Sequence, residues 1–365
     1  MKKLVVLFLV VFCFISVNGQ NISKMKDPKA LTDLGTQYYF GKGKTQDNSK
    51  AFECFSKAEQ MNYPRASYYL SLCYLNGDGV ELDYPKALDL LETAYKADFD
   101  SAYYTKGAVA SYGIGLEAPD NNLALQYFEQ SMSKNTDPRG FIGAAITFYY
   151  GHTGQQDCEK AFNYIQQAYK IDPNSATINN FLGRYYSDGY CSEPNYELAI
   201  QYHKKSVEKG GEESLYSLGY AYLNGYGVEK DLKIGFDYMQ QSADKGLALA
   251  QFYMGMGYYN GDYFPQDYTK AIEWFNLADK QGNPNAQAYL GMCYAMGYGC
   301  EQNYSTAFNY FKISAVQGYA DGQYNLGICY LNGYGTQVDE ILARYWINLA
   351  AQNGSQLAID FLNQK

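Results

Sequence analysis

The chain has 365 residues, of which 47% are hydrophobic and 18% charged, so it can bury a sizeable core, and its formal net charge is -9. Basic residues are scattered singly, with no stripe able to neutralise a row of phosphates, which argues against nucleic acid as a partner. Tyrosine, at 41 residues, is the conspicuous excess, and much of it recurs at fixed spacing.

Residues 1–19 read as a secretory signal peptide. Lys2 and Lys3 precede an apolar run from Leu4 to Val17, and Val17 and Gly19 supply the small residues before a cleavage point at Gln20. That run is short for a membrane span, and no later stretch is apolar for long enough to cross a bilayer. The expected product is exported, with no integral membrane segment after cleavage. The destination is secreted or periplasmic, or a secretory lumen in a eukaryote. Residues 20–29 form a polar segment in which Asp27 and Pro28 start the first helix, Asp accepting free amide hydrogens and Pro lacking one.

From Ala30 a single pattern returns about every 36 residues, with copies starting at 30, 66, 102, 140, 178, 214, 250, 286 and 322 and a partial tenth over 358–365. A period of this length held through nine copies signals a stack of supersecondary units. We count each copy from zero at its first residue. Offset 0, Leu or Met at offset 4 (Leu34, Leu290) and an aromatic at offset 8 (Tyr38, Tyr294) share one face of a first helix and are expected to be buried. Offset 5 is always small, as in Gly183, Gly255 and Gly291, which predicts close approach to the second helix because glycine inside a helix otherwise costs about 1 kcal/mol. Glycine at offset 11 ends the first helix, Asp or Asn at offset 17 caps the second, and small residues at offsets 21 and 28 line the seam expected to receive the offset 5 glycine. Residues 358–365 read as a capping helix over the last exposed face.

This succession of Ala, Leu-Gly, Tyr, Gly-x-Gly, Asp, Lys-Ala and a late Ala resembles the Sel1-like repeat, a relative of the tetratricopeptide repeat, over essentially the whole mature chain. Ala110, His152-Thr153 and Cys191 are its main departures. The resemblance implies an all-α, right-handed α-solenoid of about nine helix-turn-helix repeats plus the C-terminal capping helix. It also implies a non-enzymatic scaffold that binds another protein or peptide, without a cofactor. In such superhelices the first helices line the concave side near offsets 2, 6, 9 and 10. The candidate binding residues are then Tyr68, Tyr104, Tyr216, Tyr220, Phe252, Met256, Tyr259, Met292 and Tyr324, whose large, uncharged side chains suit a binding surface. The same residues serve equally well as packing between repeats. A glycan or cell-wall ligand is the alternative for a tyrosine-rich surface.

Chemistry beyond binding finds little support in the residues. His203 stands at offset 25, where other copies have Phe55, Phe128, Phe275 and Phe311, so it reads as a packed core residue, and His152 belongs to a turn. No metal-ligand spacing is present. Gly41-Lys42-Gly43-Lys44-Thr45 lacks the first glycine and the preceding strand of a phosphate loop. Ser-x-x-Lys occurs at Ser131, Ser206 and Ser242, and some cysteine-rich secreted relatives have been linked to β-lactam hydrolysis or binding. These serines occupy the small-residue slot at offset 28, and no Lys-Thr-Gly or Ser-Asp-Asn accompanies them, so a secreted hydrolase of β-lactamase type is the minor reading. The cysteine-rich relatives also carry a regular disulfide in each repeat, which this chain lacks.

Seven cysteines follow the signal peptide, an odd number. Cys73, Cys293 and Cys329 share offset 7 and read as small core residues. Cys293 and Cys329 lie one repeat apart in the same register, roughly 10 Å across stacked helices, beyond disulfide reach. Cys158 and Cys191 fall near the turns of neighbouring repeats, close enough in the pattern to meet.

Overall fold

Each copy folds as a helix pair because it carries its own start and stop signals. In a computed structural model, which describes residues 22–134 and 137–363, Asp47, Asp83, Asp120, Asp231 and Asp267 each accept the backbone N–H three residues on at the start of a second helix, at 2.9–3.0 Å. The glycine at offset 11 ends first helices in the left-handed conformation, as at Gly77 (φ 76) and Gly297 (φ 72), which a residue without Cβ adopts cheaply. The expected signal peptide, Gln20 and Asn21, Asn135 and the last two residues of the capping segment lie outside the described residues.

Nineteen α-helices and no strand are found among the described residues, after a 3-10 turn at Ile22–Lys24. The chain divides into two compact units after Ile171. The first holds α1 (Pro28–Phe40), α2 (Asn48–Glu59), α3 (Pro64–Asn76), α4 (Tyr84–Lys96), α5 (Asp100–Tyr112), α6 (Asn121–Ser133), α7 (Pro138–Tyr150) and α8 (Cys158–Ile171). The second holds α9 (Ala176–Ser187), α10 (Tyr196–Glu208), α11 (Glu213–Asn224), α12 (Leu232–Asp244), α13 (Ala248–Asn260), α14 (Tyr268–Asp279), α15 (Pro284–Met296), α16 (Tyr304–Val316), α17 (Ala320–Asn332), α18 (Glu340–Gln352) and α19 (Gln356–Asn363). The last, two residues longer at its start than expected, closes the stack by packing Ala358 and Phe361 on Ile347 and Ala350.

Burial follows the repeat with two corrections. Offset 4 is buried wherever it is apolar, as at Leu34, Met254 and Leu290, with Lys106 the half-buried exception, but most offset 8 rings are only half-buried. They stack instead on the ring at offset 24 of the same copy: Tyr186 on Tyr202, Tyr222 on Tyr238 and Tyr294 on Tyr310, with centroids 5.7–6.0 Å apart. The second correction concerns the offset 5 glycine. The small residue at offset 21 does approach it, a Cβ on Gly219 lying 3.1 Å from the Gly235 carbonyl oxygen. The space itself is filled by the large side chain at offset 25. A Cβ on Gly255 would lie 2.5 Å from the Phe275 ring, one on Gly291 2.6 Å from Phe311, and one on Gly183 2.6 Å from His203. Glycine is present so that a large side chain, a ring in most copies but Met239 at Gly219 and Ile347 at Gly327, can lie against the helix backbone.

Cys54, Cys73, Cys293 and Cys329 are buried free thiols and Cys300 a half-buried one, whereas Cys158 and Cys191 are both disulfide-bonded. Among the described residues no helix is long and apolar enough to cross a membrane.

Candidate functional site

In most copies a ring at offset 2 covers the side chain at offset 25. Phe252 sits over Phe275 and Tyr104 over Phe128, each pair with centroids 5.8 Å apart. Four copies lack the ring at offset 2, having Thr32, Ile142, Asn180 and Ala288, and of these the fifth also carries a polar side chain, His203, at offset 25. Over this polar pair lies a cavity of about 700 Å³ in the second unit, between α9, α10, α11 and the start of α13.

Its floor is a buried polar chain. His203 is 2% exposed and Asn180 7%. Asn180 Nδ2 donates to the Glu213 carboxylate at 2.7 Å, which turns Asn180 Oδ1 toward Ser214. Ser214 Oγ donates to that oxygen at 2.8 Å and lies 3.1 Å from His203 Nδ1. A carboxylate only accepts, so each link fixes the next: Ser214 has spent its proton, Nδ1 carries the imidazole hydrogen, and Nε2 holds a free lone pair. Nε2 is buried and has no hydrogen-bond partner. Burial, and then the nearby Arg184 charge, pushes the imidazole down to about 4, so it is neutral at ordinary pH.

Tyrosines form the wall. Tyr216 and Tyr220 lie 6.1 Å apart, Tyr220 and Tyr226 5.8 Å, and Tyr226 stacks on Tyr196 at 4.9 Å. Tyr253 backs Tyr216 and Tyr220 at 6.0 and 5.8 Å. Burial raises the Tyr216 and Tyr220 hydroxyls above the usual phenol value, keeping both neutral. Arg184, Asp188 and Glu213 stand exposed at the mouth.

Of the nine residues expected to bind, the cavity brings together Tyr216 and Tyr220 alone. Tyr68 (4% exposed) and Phe252 (7%) are corrected to core positions: Tyr68 packs on Phe99 at 4.9 Å, and Phe252 sits among Tyr253, Phe275 and Tyr289. Tyr104 is held half-buried under the Arg139 guanidinium, 4.9 Å from its ring centre. Met256 packs against the Phe275 cluster and Met292 against the Phe311 cluster. Tyr259 meets Tyr268 and Tyr289 edge-on, and Tyr324 meets Phe361. The sequence reading placed His203 correctly in the core but missed Asn180, Glu213 and Tyr226. The signal was present: Asn180, His203 and Ser214 are three polar departures from the repeat within one copy and the start of the next.

The serines of the three Ser-x-x-Lys runs are buried packing groups, 0–1% exposed. Lys134 pairs with Asp98 and Lys245 with Glu212, neither with its serine. Among the described residues no group of three or more His, Cys, Asp or Glu is placed to hold a metal.

The Sel1 repeat family model matches nine segments: 28–63, 64–99, 107–135, 142–172, 179–211, 212–247, 248–283, 284–319 and 320–355. The chain belongs to the Sel1 repeat family, whose members are generally non-catalytic scaffolds for protein interaction. It is similar to c5321, a protective antigen of uropathogenic Escherichia coli strains that displays an SLR fold. Identity is 26% over 91% of this chain and 78% of that one, with a TM-score of 0.51. A Sel1 repeat protein from Oxalobacter formigenes matches at 21% identity over 93% of this chain and 94% of its own, with a TM-score of 0.56. Human IFIT1 matches at 16% over 91% and 74%, with a TM-score of 0.53, a likeness of fold alone.

Proposed function

We propose that this protein is an exported, non-catalytic scaffold that binds another protein through the first-helix face of its second unit, with the cavity over His203 as the anchoring point. One observation carries the reading: the copy with polar side chains at both offset 2 and offset 25, Asn180 and His203, bears a tyrosine-walled cavity of about 700 Å³. Tyrosine gives large contact area at low cost in side-chain freedom, the composition favoured at binding hot spots. Export is supported by the signal-like residues 1–19 and by the disulfide-bonded Cys158 and Cys191, since such bonds persist in oxidising compartments.

The test is affinity capture from the native organism with the wild-type protein and with Tyr220→Ala combined with Tyr226→Ala. A specific protein captured by the first and lost from the second, at unchanged helicity, supports the reading. Equal capture moves the site elsewhere. Mass spectrometry of the natural product checks export, which requires a chain starting near Gln20. A glycan ligand is favoured by one feature, the stacked pairs Tyr268–Tyr298 and Tyr304–Tyr334, with centroids 4.5 and 4.8 Å apart and Tyr298, Tyr304 and Tyr334 exposed. Retention on a cell-wall polysaccharide column would support that alternative.

A further inference from the structure

We infer that the cavity over His203 recognises an arginine side chain of the partner. The inference rests on the scaffold reading and names the group that the cavity takes.

Four features of the lining point to a cation with several N–H donors. Glu213 spends part of its carboxylate on Asn180 and stands exposed at the mouth, where its charge faces an incoming group. Asp188 and Arg184 bring opposite charges, so the three charged residues that line the cavity sum to -1. The tyrosine wall presents electron-rich rings, which attract cations over their faces. His203 lines the same cavity as a neutral imidazole whose buried Nε2 lone pair has no donor. Nε2 is closed off from solvent, so a ligand N–H pairs with it once the imidazole turns toward the cavity, which removes the cost of a buried acceptor left unpaired.

Lysine and arginine meet these features differently. An ammonium is compact and strongly hydrated, and it has no flat surface to lay against a ring. A guanidinium is planar, weakly hydrated and rich in fixed donors, so it can stack on tyrosine while hydrogen-bonding a carboxylate. Its three-carbon stem finds apolar contact along Ile200 and Ala221. A carboxylate or phosphate ligand finds the reverse, with Arg184 as the one cation in the lining.

The experiment uses the full mature protein and N-acetyl-arginine N-methylamide at millimolar concentrations, the range that ligand efficiency allows for so small a probe, read by saturation-transfer NMR. The matching citrulline and lysine compounds serve as comparisons. The inference expects saturable binding of the arginine compound, with citrulline weaker by about tenfold and lysine also weaker. Glu213→Gln, at an exposed position and able to keep its bond to Asn180, should weaken arginine by about tenfold. His203→Phe, which restores the ring that other copies carry, should also weaken it. Absence of saturable binding, equal binding of citrulline or lysine, or no effect of Glu213→Gln overturns the inference. If wild-type protein captures a partner that blocked arginine does not displace, the scaffold reading stands and this inference fails.

Discussion

The copies between 250 and 355 and the copy that starts at 178 obey the same repeat and put it to different use. In the regular stretch Gly255 makes room for Phe275, Phe252 covers Phe275, and Tyr289 packs on both, so the three rings form one cluster. In the fifth copy Gly183 makes room for His203 in the same way, but Asn180 stands where the covering ring would be. The helices, turns and caps are unaffected. A repeat protein can therefore open a cavity by altering two side chains in one copy while its neighbours hold the frame.

The largest expected difference between the two regions is in their response to acid. The unfolded chain protonates His203 below its ordinary 6.5, the folded chain only below about 4. The folded state binds fewer protons in that window, so stability present above 6.5 is lost as pH falls toward 4, by about 3 kcal/mol in all. Arg184 from α9 and Glu213, reached through Asn180 and Ser214, are the charged groups that bear on the ring. His203→Phe should remove this loss, and hydrogen exchange across α9–α11 between pH 6.5 and 4 measures it; an unchanged pH response would show that the imidazole titrates without cost.

Next in size is the glycine that holds the ring. Gly255→Ala pushes a Cβ into Phe275, which is enclosed by other rings, and should cost about 1–3 kcal/mol. Gly183→Ala should cost less, because His203 borders a cavity into which it can shift. Lys312→Ala, at an exposed position, sets the baseline. Equal melting of the two glycine variants would contradict the difference in packing. Smallest should be any difference between caps: Asp267→Ala and Asn195→Ala each remove one bond to an amide at a helix start and should each cost about 1 kcal/mol in thermal unfolding.

The period, the caps, the left-handed glycines and the closing helix are all legible in the sequence because each depends on residues a few positions apart. What fills the offset 5 glycine is less so: offsets 21, 25 and 28 all lie on the inward side of the second helix, and only the packing shows that the ring at 25 takes the space. The offset 2 residues illustrate the wider limit. Tyr216 and Phe252 hold equivalent positions, yet Phe252 is enclosed by Phe275 and Tyr289, whereas Tyr216 faces the gap left by Asn180 one copy earlier. Whether such a ring is core or surface depends on residues about 36 positions away, which a pattern taken one copy at a time does not weigh. Reading the departures, rather than the consensus, would have found the site.

The central claim is that the irregular copy, and not the regular tyrosine pairs, holds the partner. Capture should be compared in parallel for wild type, for Tyr216→Ala with Tyr220→Ala at the cavity, and for Tyr268→Ala with Tyr298→Ala in the regular stretch, after circular dichroism has shown all three equally helical. The account predicts that the cavity variant loses the partner and the regular variant keeps it; capture that survives in the cavity variant, or is lost only in the regular one, would contradict it.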